Sequence, residues 1–125
     1  MRSRIIRRLT AMIFAAALGT PFLLPQAAQA KPARCEITPL LNGEDRYVGP
    51  CEFVAKSGGS FSVKLPAKAA DDLNISIVYV TVDSPGNGEI AVRGFMGNLN
   101  KWGIVRRDPK KPACWAGEWG RVCVY

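Results

Sequence analysis

The sequence predicts a small all-β domain, an antiparallel meander curled into a barrel or sandwich and stapled by two disulfides. Three observations predict it. Short apolar runs, several of them alternating, recur at the spacing expected of a small all-β chain. Turn signals rich in Gly, Pro, Asn and Asp separate them. Four Cys occur in a chain whose N-terminus reads as an export signal, the setting in which small domains are closed by disulfides.

The export signal comes first. Arg2, Arg4, Arg7 and Arg8 precede an apolar run from Leu9 to Leu24, and Ala28-Gln29-Ala30 places small residues at the two positions a signal peptidase reads. Residues 1–30 are therefore expected to be removed, leaving residues 31–125 as a single all-β domain. The apolar run is interrupted by Gly19, Thr20 and Pro21 and falls short of the ~20 residues that cross a bilayer, so no stable membrane insertion is expected after cleavage. Of the 17 basic residues, four leave with the signal, so 13 face 10 acidic ones and the net charge drops from +7 to +3. That residue of charge lacks the concentrated footprint that a nucleic-acid partner requires. The chain has no His, which excludes Ser-His-Asp triads, Cys-His pairs and the common zinc sites.

Along the exported part, Lys31 to Arg34 is a Pro-containing lead-in and Cys35 to Thr38 the first strand. Tyr47 to Ala55 reads as the next, with Pro39 and Pro50 at strand ends or edges where a missing donor does least harm. Ser60 to Leu65 alternates strictly, with Phe61, Val63 and Leu65 on one side, as in a half-buried strand. Ala67 to Leu73 alone has helical character, enough for one or two turns. Ile75 to Val82 is apolar on both faces and predicts a central strand covered on both sides. Asp83 to Gly88 is a dense turn signal, and Glu89 to Phe95 resumes alternation. Trp102 to Arg107, Ala113 to Ala116 and Arg121 to Tyr125 complete the set.

The cysteines are best read as two structural disulfides. No C-x-x-C occurs, which disfavours a zinc site or a redox pair. Cys114 and Cys123 are symmetric about Glu118-Trp119, as in a tight hairpin whose arms set the sulfurs opposite each other. Cys35 and Cys51 are symmetric about Gly43, which suits a three-residue loop Asn42-Gly43-Glu44. The expected pairs are Cys35 with Cys51 and Cys114 with Cys123.

Functional candidates are few. Ten carboxylates are available, but most lie in turns or at exposed strand positions and no spacing singles out an acid and a nucleophile. Flat aromatic faces stack on sugars and bases, and Lys and Arg meet anionic groups. Trp119, at a predicted hairpin tip, together with Trp102, Lys101, Arg106 and Arg107, is therefore expected to form one mixed aromatic and basic ligand-binding surface. The competing reading for Trp102 and Trp115 is that they fill a small core. Asn74-Ile75-Ser76 also matches a glycosylation acceptor pattern.

Gly49-Pro50-Cys51-Glu52-Phe53, together with Cys114-Trp115 and Arg121-Val122-Cys123, resembles a group of small exported bacterial proteins of unassigned function, in which G-P-C-x-F and C-W…R-V-C elements bracket a β-rich middle. The resemblance implies a bacterial periplasmic or secreted setting and no activity. Gly117 to Val122 is also similar to the G-x-W-x-x-V stretch of bacterial wall-binding barrels.

The expectation is a non-enzymatic, monomeric, periplasmic or secreted binding module without cofactor or metal. Its expected partner is an envelope component, a wall glycan or an exported protein, and neither nucleic acid nor membrane. Two alternatives stay open: an inhibitor that plugs an exported hydrolase with its C-terminal hairpin tip, and a small carboxylate-dependent wall hydrolase.

Overall fold

Residues 29–40 and 46–125 are described by the computed structural model; the expected signal segment, apart from its last two residues, and the Asn42-Gly43-Glu44 loop lie outside them. Eight antiparallel strands follow one another in sequence order: β1 (Lys31–Pro39), β2 (Tyr47–Ala55), β3 (Phe61–Lys64), β4 (Ile77–Ser84), β5 (Asn87–Arg93), β6 (Leu99–Arg107), β7 (Cys114–Gly117) and β8 (Gly120–Val124). Each pairs with its neighbour, and β8 returns to pair with β1, so the sheet closes into a barrel without a free edge. One short α-helix, α1 (Ala67–Leu73), and a three-residue 3-10 turn, Ser57–Gly59, interrupt the meander.

Closure gives the strands a dry inner face and an outer face that is solvated except at Ser62, Cys114 and Cys123, which are buried there. Rows of inward residues run across the sheet: Phe53, Val63, Val78 and Val92 in one, and Phe61, Val80 and Ile90 in the next. Ile37, Val122 and Trp115 continue the lining around the seam, and all of these except the half-buried Phe53 are buried. Between them the outward positions carry Arg34, Glu36, Glu52, Lys64, Thr81, Glu89, Lys101 and Arg106. An apolar inside with charged residues outside is the reverse of the pattern on a lipid-facing barrel. Among the described residues, no helix is long and apolar enough to cross a membrane.

The helix closes one end. It begins after Pro66, whose extended backbone ends β3's exit, and stops at Asn74, a left-handed cap (φ 54°) whose N–H donates to the Ala70 and Asp71 carbonyls. Ala69 and Ala70 face the core with Leu65 and Ile75, filling the mouth between β3 and β4. The short helix expected over Ala67 to Leu73 is present with those bounds.

Both disulfides form as paired above, in different ways. Cys114 and Cys123 are direct cross-strand partners on the β7–β8 hairpin. Cys35 and Cys51 are instead diagonal: Cys35 pairs with Gly49 and Cys51 with Ala33, and the bridge spans 5.8 Å between Cα atoms. Symmetry about Gly43 puts the β1–β2 register two residues away from the one observed. Diagonal neighbours on one face of a sheet are close enough to be bridged, so the pairing survives the register shift.

Three further expectations change. Lys31 to Arg34, expected as a lead-in, is the first part of β1, because it pairs with β2 from Lys31 opposite Phe53 to Arg34 opposite Pro50. The segment Ile75 to Val82 is covered on one face only, because in a closed barrel the outer face is solvated; Ile77 and Tyr79 point outward and are half-buried. Ile75 precedes the strand, and its N–H donates to the Ala70 carbonyl under the helix. Strand β6 starts at Leu99, three residues before the expected start, because it carries a bulge that lets it resume pairing with β5.

The bridges close loops with sequence separations of 16 and 9 residues, and the chain-entropy model then assigns them about 3 and about 2.5 kcal/mol. Urea denaturation is expected to show Cys35→Ala/Cys51→Ala as the more destabilised double variant. Equal losses, or a larger loss for Cys114→Ala/Cys123→Ala, would contradict this ranking.

Candidate functional site

The barrel has two unlike ends. One is formed by the last residues of β1, helix α1, the β5–β6 turn and the β7–β8 hairpin tip. The β5–β6 turn is tightly held: the Gly94 N–H donates to the Asn98 carbonyl at 2.8 Å, and Arg93 Nη1 donates to the Gly97 carbonyl at 3.0 Å. Asn74 Oδ1, at the helix cap, accepts the Phe95 N–H at 3.0 Å. The Asn74 amide, noted above as a glycosylation match, thus ties the helix to this turn. With its backbone satisfied, the turn nonetheless presents Phe95 (60% exposed), Met96 (87%) and Leu99 to solvent. Exposed apolar residues on an ordered turn are not explained by turn chemistry, which favours polar residues there.

The hairpin tip adds Trp119, 42% exposed, whose carbonyl accepts the Leu40 N–H at 3.0 Å. Leu40 is itself exposed, and Ile104 stands out on the neighbouring β6 at 73% exposure. The bulge explains this arrangement. Ile90 pairs with Gly103 and Ala91 with Lys101, leaving Trp102 as the extra residue, and Gly103 adopts φ +86°, a conformation that glycine takes without strain. A side chain on Gly103 would meet the Trp119 ring at van der Waals distance, 3.8 Å, so the ring lies beside the bulge.

Trp102, expected on the ligand face, is a core residue instead. The bulge turns its indole inward, where it is 5% exposed and lies against Gly120 so closely that a Cβ there would collide with the ring. Trp115 is also in the core, at the other end. The single mixed surface therefore divides. Trp119 lies beside Gly103 of the bulge, and Lys101 points outward opposite Ala91, two residues before that glycine. Arg106 is exposed on the outer face opposite Asn87 and Ala116, on the far side of Ile104. Arg107 sits at the opposite rim, four residues beyond Gly103 and thus ~13 Å along the strand. There its Nε donates to the Pro112 carbonyl at 2.6 Å and its guanidinium lies 5.6 Å from the Trp115 ring centre.

The sequence reading missed Phe95, Met96 and Leu99. Gly94 and Gly97 bracket the first two, a turn signal that was available in the sequence. The alternation expected from Glu89 to Phe95 runs into this turn, whereas β5 ends at Arg93.

Beside Phe95 lies an open cleft of about 600 Å3, bordered by Pro50, Glu52, Leu65 and Pro66. A second, of about 400 Å3, lies between Tyr47 and α1, with Arg46, Lys68 and Asp72 at its border. The Tyr47 hydroxyl donates to the Pro50 carbonyl at 2.6 Å, and burial pushes its phenol upward. On the outer face, Lys56 and Arg93 lie over the Tyr79 ring, with Arg93 Nε donating to the Tyr79 hydroxyl. Among the described residues, no group of three or more His, Cys, Asp or Glu is placed to hold a metal ion.

The fold and its exposed end define a class: a disulfide-stapled, eight-stranded antiparallel barrel with one apolar end. Comparison with family models, with curated proteins and with solved structures finds no match to this chain.

The turn between β6 and β7 is organised by Asp108. Its carboxyl is held below the ordinary carboxylate range chiefly by the Lys110 N–H, which donates to Oδ1 at 2.8 Å. Partial desolvation opposes this, and the Lys111 N–H and the Arg121 guanidinium add to it. A depressed folded value means the contribution is complete above the ordinary carboxylate pKa of about 3.9 and vanishes as pH falls through the folded value. Amide exchange at Lys110 and Lys111 is therefore expected to be faster in Asp108→Ala than in the parent at pH 7. That difference should shrink below pH ~4, whereas one that persisted unchanged in acid would contradict the assignment.

Proposed function

We propose that this chain is a non-enzymatic, extracytoplasmic binding module that docks on another exported protein through the end of the barrel carrying Trp119. The observation that carries the reading is the gathering of Leu40, Phe95, Met96, Leu99 and Trp119, all exposed, at one end of a barrel whose core is otherwise closed. Exposed apolar side chains clustered on an ordered surface mark interaction sites, and Trp is over-represented among residues that dominate binding energy. A protein partner fits better than a wall glycan. Sugar recognition uses flat rings flanked by polar groups, whereas four of these five side chains are Leu, Met or Phe and the basic residues expected beside Trp119 are largely elsewhere.

Two disulfides fit an oxidising, extracytoplasmic compartment. The Arg-rich, then apolar N-terminus supports a periplasmic or secreted destination. An inhibitor of an exported hydrolase is one form this docking would take, with the Trp119 tip as the plug. A wall hydrolase gains no support from the clefts beside Phe95 and beside α1, because each is lined by one carboxylate, Glu52 and Asp72 respectively.

Photo-crosslinking tests the proposal. A benzoylphenylalanine probe in place of Met96 is expected to yield a discrete protein adduct in the cell envelope, and the same probe at Ser84, at the other end of the barrel, none. Trp119→Ala is expected to weaken capture at least tenfold, a loss of about 1.4 kcal/mol or more, with folding stability changed by less than about 0.5 kcal/mol. Equal adducts from both ends, or none from Met96, would refute the docking surface.

A further inference from the structure

We propose that the opposite end of the barrel carries a second site, a cleft that binds a small aromatic carboxylate. The cleft has a volume of about 510 Å3 and opens between the start of β1, the β2–β3 connection and the strands β6 to β8. That volume is within the range of ~300–1,000 Å3 typical of small-molecule sites. Phe53, Phe61, Trp115 and Tyr125 line it, with Lys31 and Arg107 the two side-chain charges among its lining residues.

The walls suit a flat apolar body. Phe53 and Phe61 are tilted neighbours with ring centres 5.4 Å apart, and Trp115 is nearly buried beneath the opening. Tyr125 is exposed, but its backbone is held on both sides by Arg34: the Arg34 N–H donates to the Tyr125 oxygen at 3.0 Å and the Tyr125 N–H to the Arg34 carbonyl at 2.8 Å.

The charges suit a carboxylate. Arg107 lies over Trp115, and its Nε is committed to the Pro112 carbonyl. That contact holds the guanidinium in place while its terminal nitrogens have no protein acceptor among the described residues. A guanidinium fixed in this way and stacked on an indole is prepared for bidentate carboxylate binding without further ordering. Lys31 adds a second cation at the rim, and no Asp or Glu side chain lines the cleft. Aromatic walls and a positioned cation together select a planar acid over a neutral ring or an aliphatic acid. This site is independent of the Trp119 end.

Amide NMR titration of the oxidised chain from Lys31 to Tyr125 tests the inference, since every strand and both disulfides lie within it. The probes are 2-naphthoate, its neutral analogue 2-naphthamide, and cyclohexanecarboxylate. Saturable shifts from 2-naphthoate are expected at Ala33, Gly59, Ala113 and Tyr125, with both other probes about tenfold weaker. Arg107→Gln is expected to weaken 2-naphthoate by about tenfold. Lys31→Gln, outside the Pro112 contact, gives the same direction should Arg107→Gln disturb the turn, while Trp119→Ala leaves binding unchanged. Equal binding of the amide, shifts confined to the Trp119 end, or no saturation below about 10 mM would overturn the inference.

Discussion

The pairing of β8 with β1 is the constraint on which the rest of the structure depends. Five residue pairs, from Cys35 opposite Val124 to Pro39 opposite Gly120, convert an eight-stranded meander into a closed barrel. Without them both end strands would present unpaired backbone, and the inner faces of Ile37 and Val122 would meet water. The two disulfides flank this seam, Cys35–Cys51 joining β1 to β2 and Cys114–Cys123 joining β7 to β8. Each therefore fixes one of the strands that must meet to its other neighbour. On one side of the seam the strands are short, β7 having four residues and β8 five, so covalent closure supplements a modest ladder there.

Closure also separates the chemistry of the molecule into two ends. A barrel this small fills its interior with side chains, leaving only its outer face and its two mouths available for partners. At one mouth α1 and the inward Trp102 take up the space, and the apolar residues of the neighbouring turns are displaced outward. Phe95, Met96 and Trp119 are exposed because the core beneath them is already occupied by Ala70, Ile75 and Trp102. At the other mouth the β2–β3 connection supplies only a three-residue 3-10 turn, Ser57–Gly59, and the rings of Phe53, Phe61 and Trp115 line a cleft rimmed by Lys31 and Arg107.

Much of this was legible in the sequence, and the departures have physical causes. All eight described strands, the helix α1 and both disulfide pairs follow from periodicity, turn residues and Cys placement. The Cys114–Cys123 register follows too, because a two-residue tip leaves a hairpin little freedom. The β1–β2 register does not, because β1 must also match β8, and symmetry about Gly43 takes no account of a second partner strand. Trp102 was misplaced for a related reason. Strict alternation carries no information about where a bulge falls, although a glycine directly after a large residue in a strand is the pattern that marks one. Once Trp102 turns inward and Arg107 reaches the far rim, residues close together on one strand belong to different environments.

Met96 is the one methionine in residues 31–125, so a methyl-labelled sample of that chain gives a single methionine methyl signal from the middle of the apolar end. The most direct test of the account is to follow that signal while envelope proteins, and separately wall glycan, are added to the oxidised domain. The account predicts that it shifts or broadens with the protein fraction and stays sharp with glycan. A signal unchanged by the protein fraction, while resonances elsewhere on the barrel respond, would contradict it.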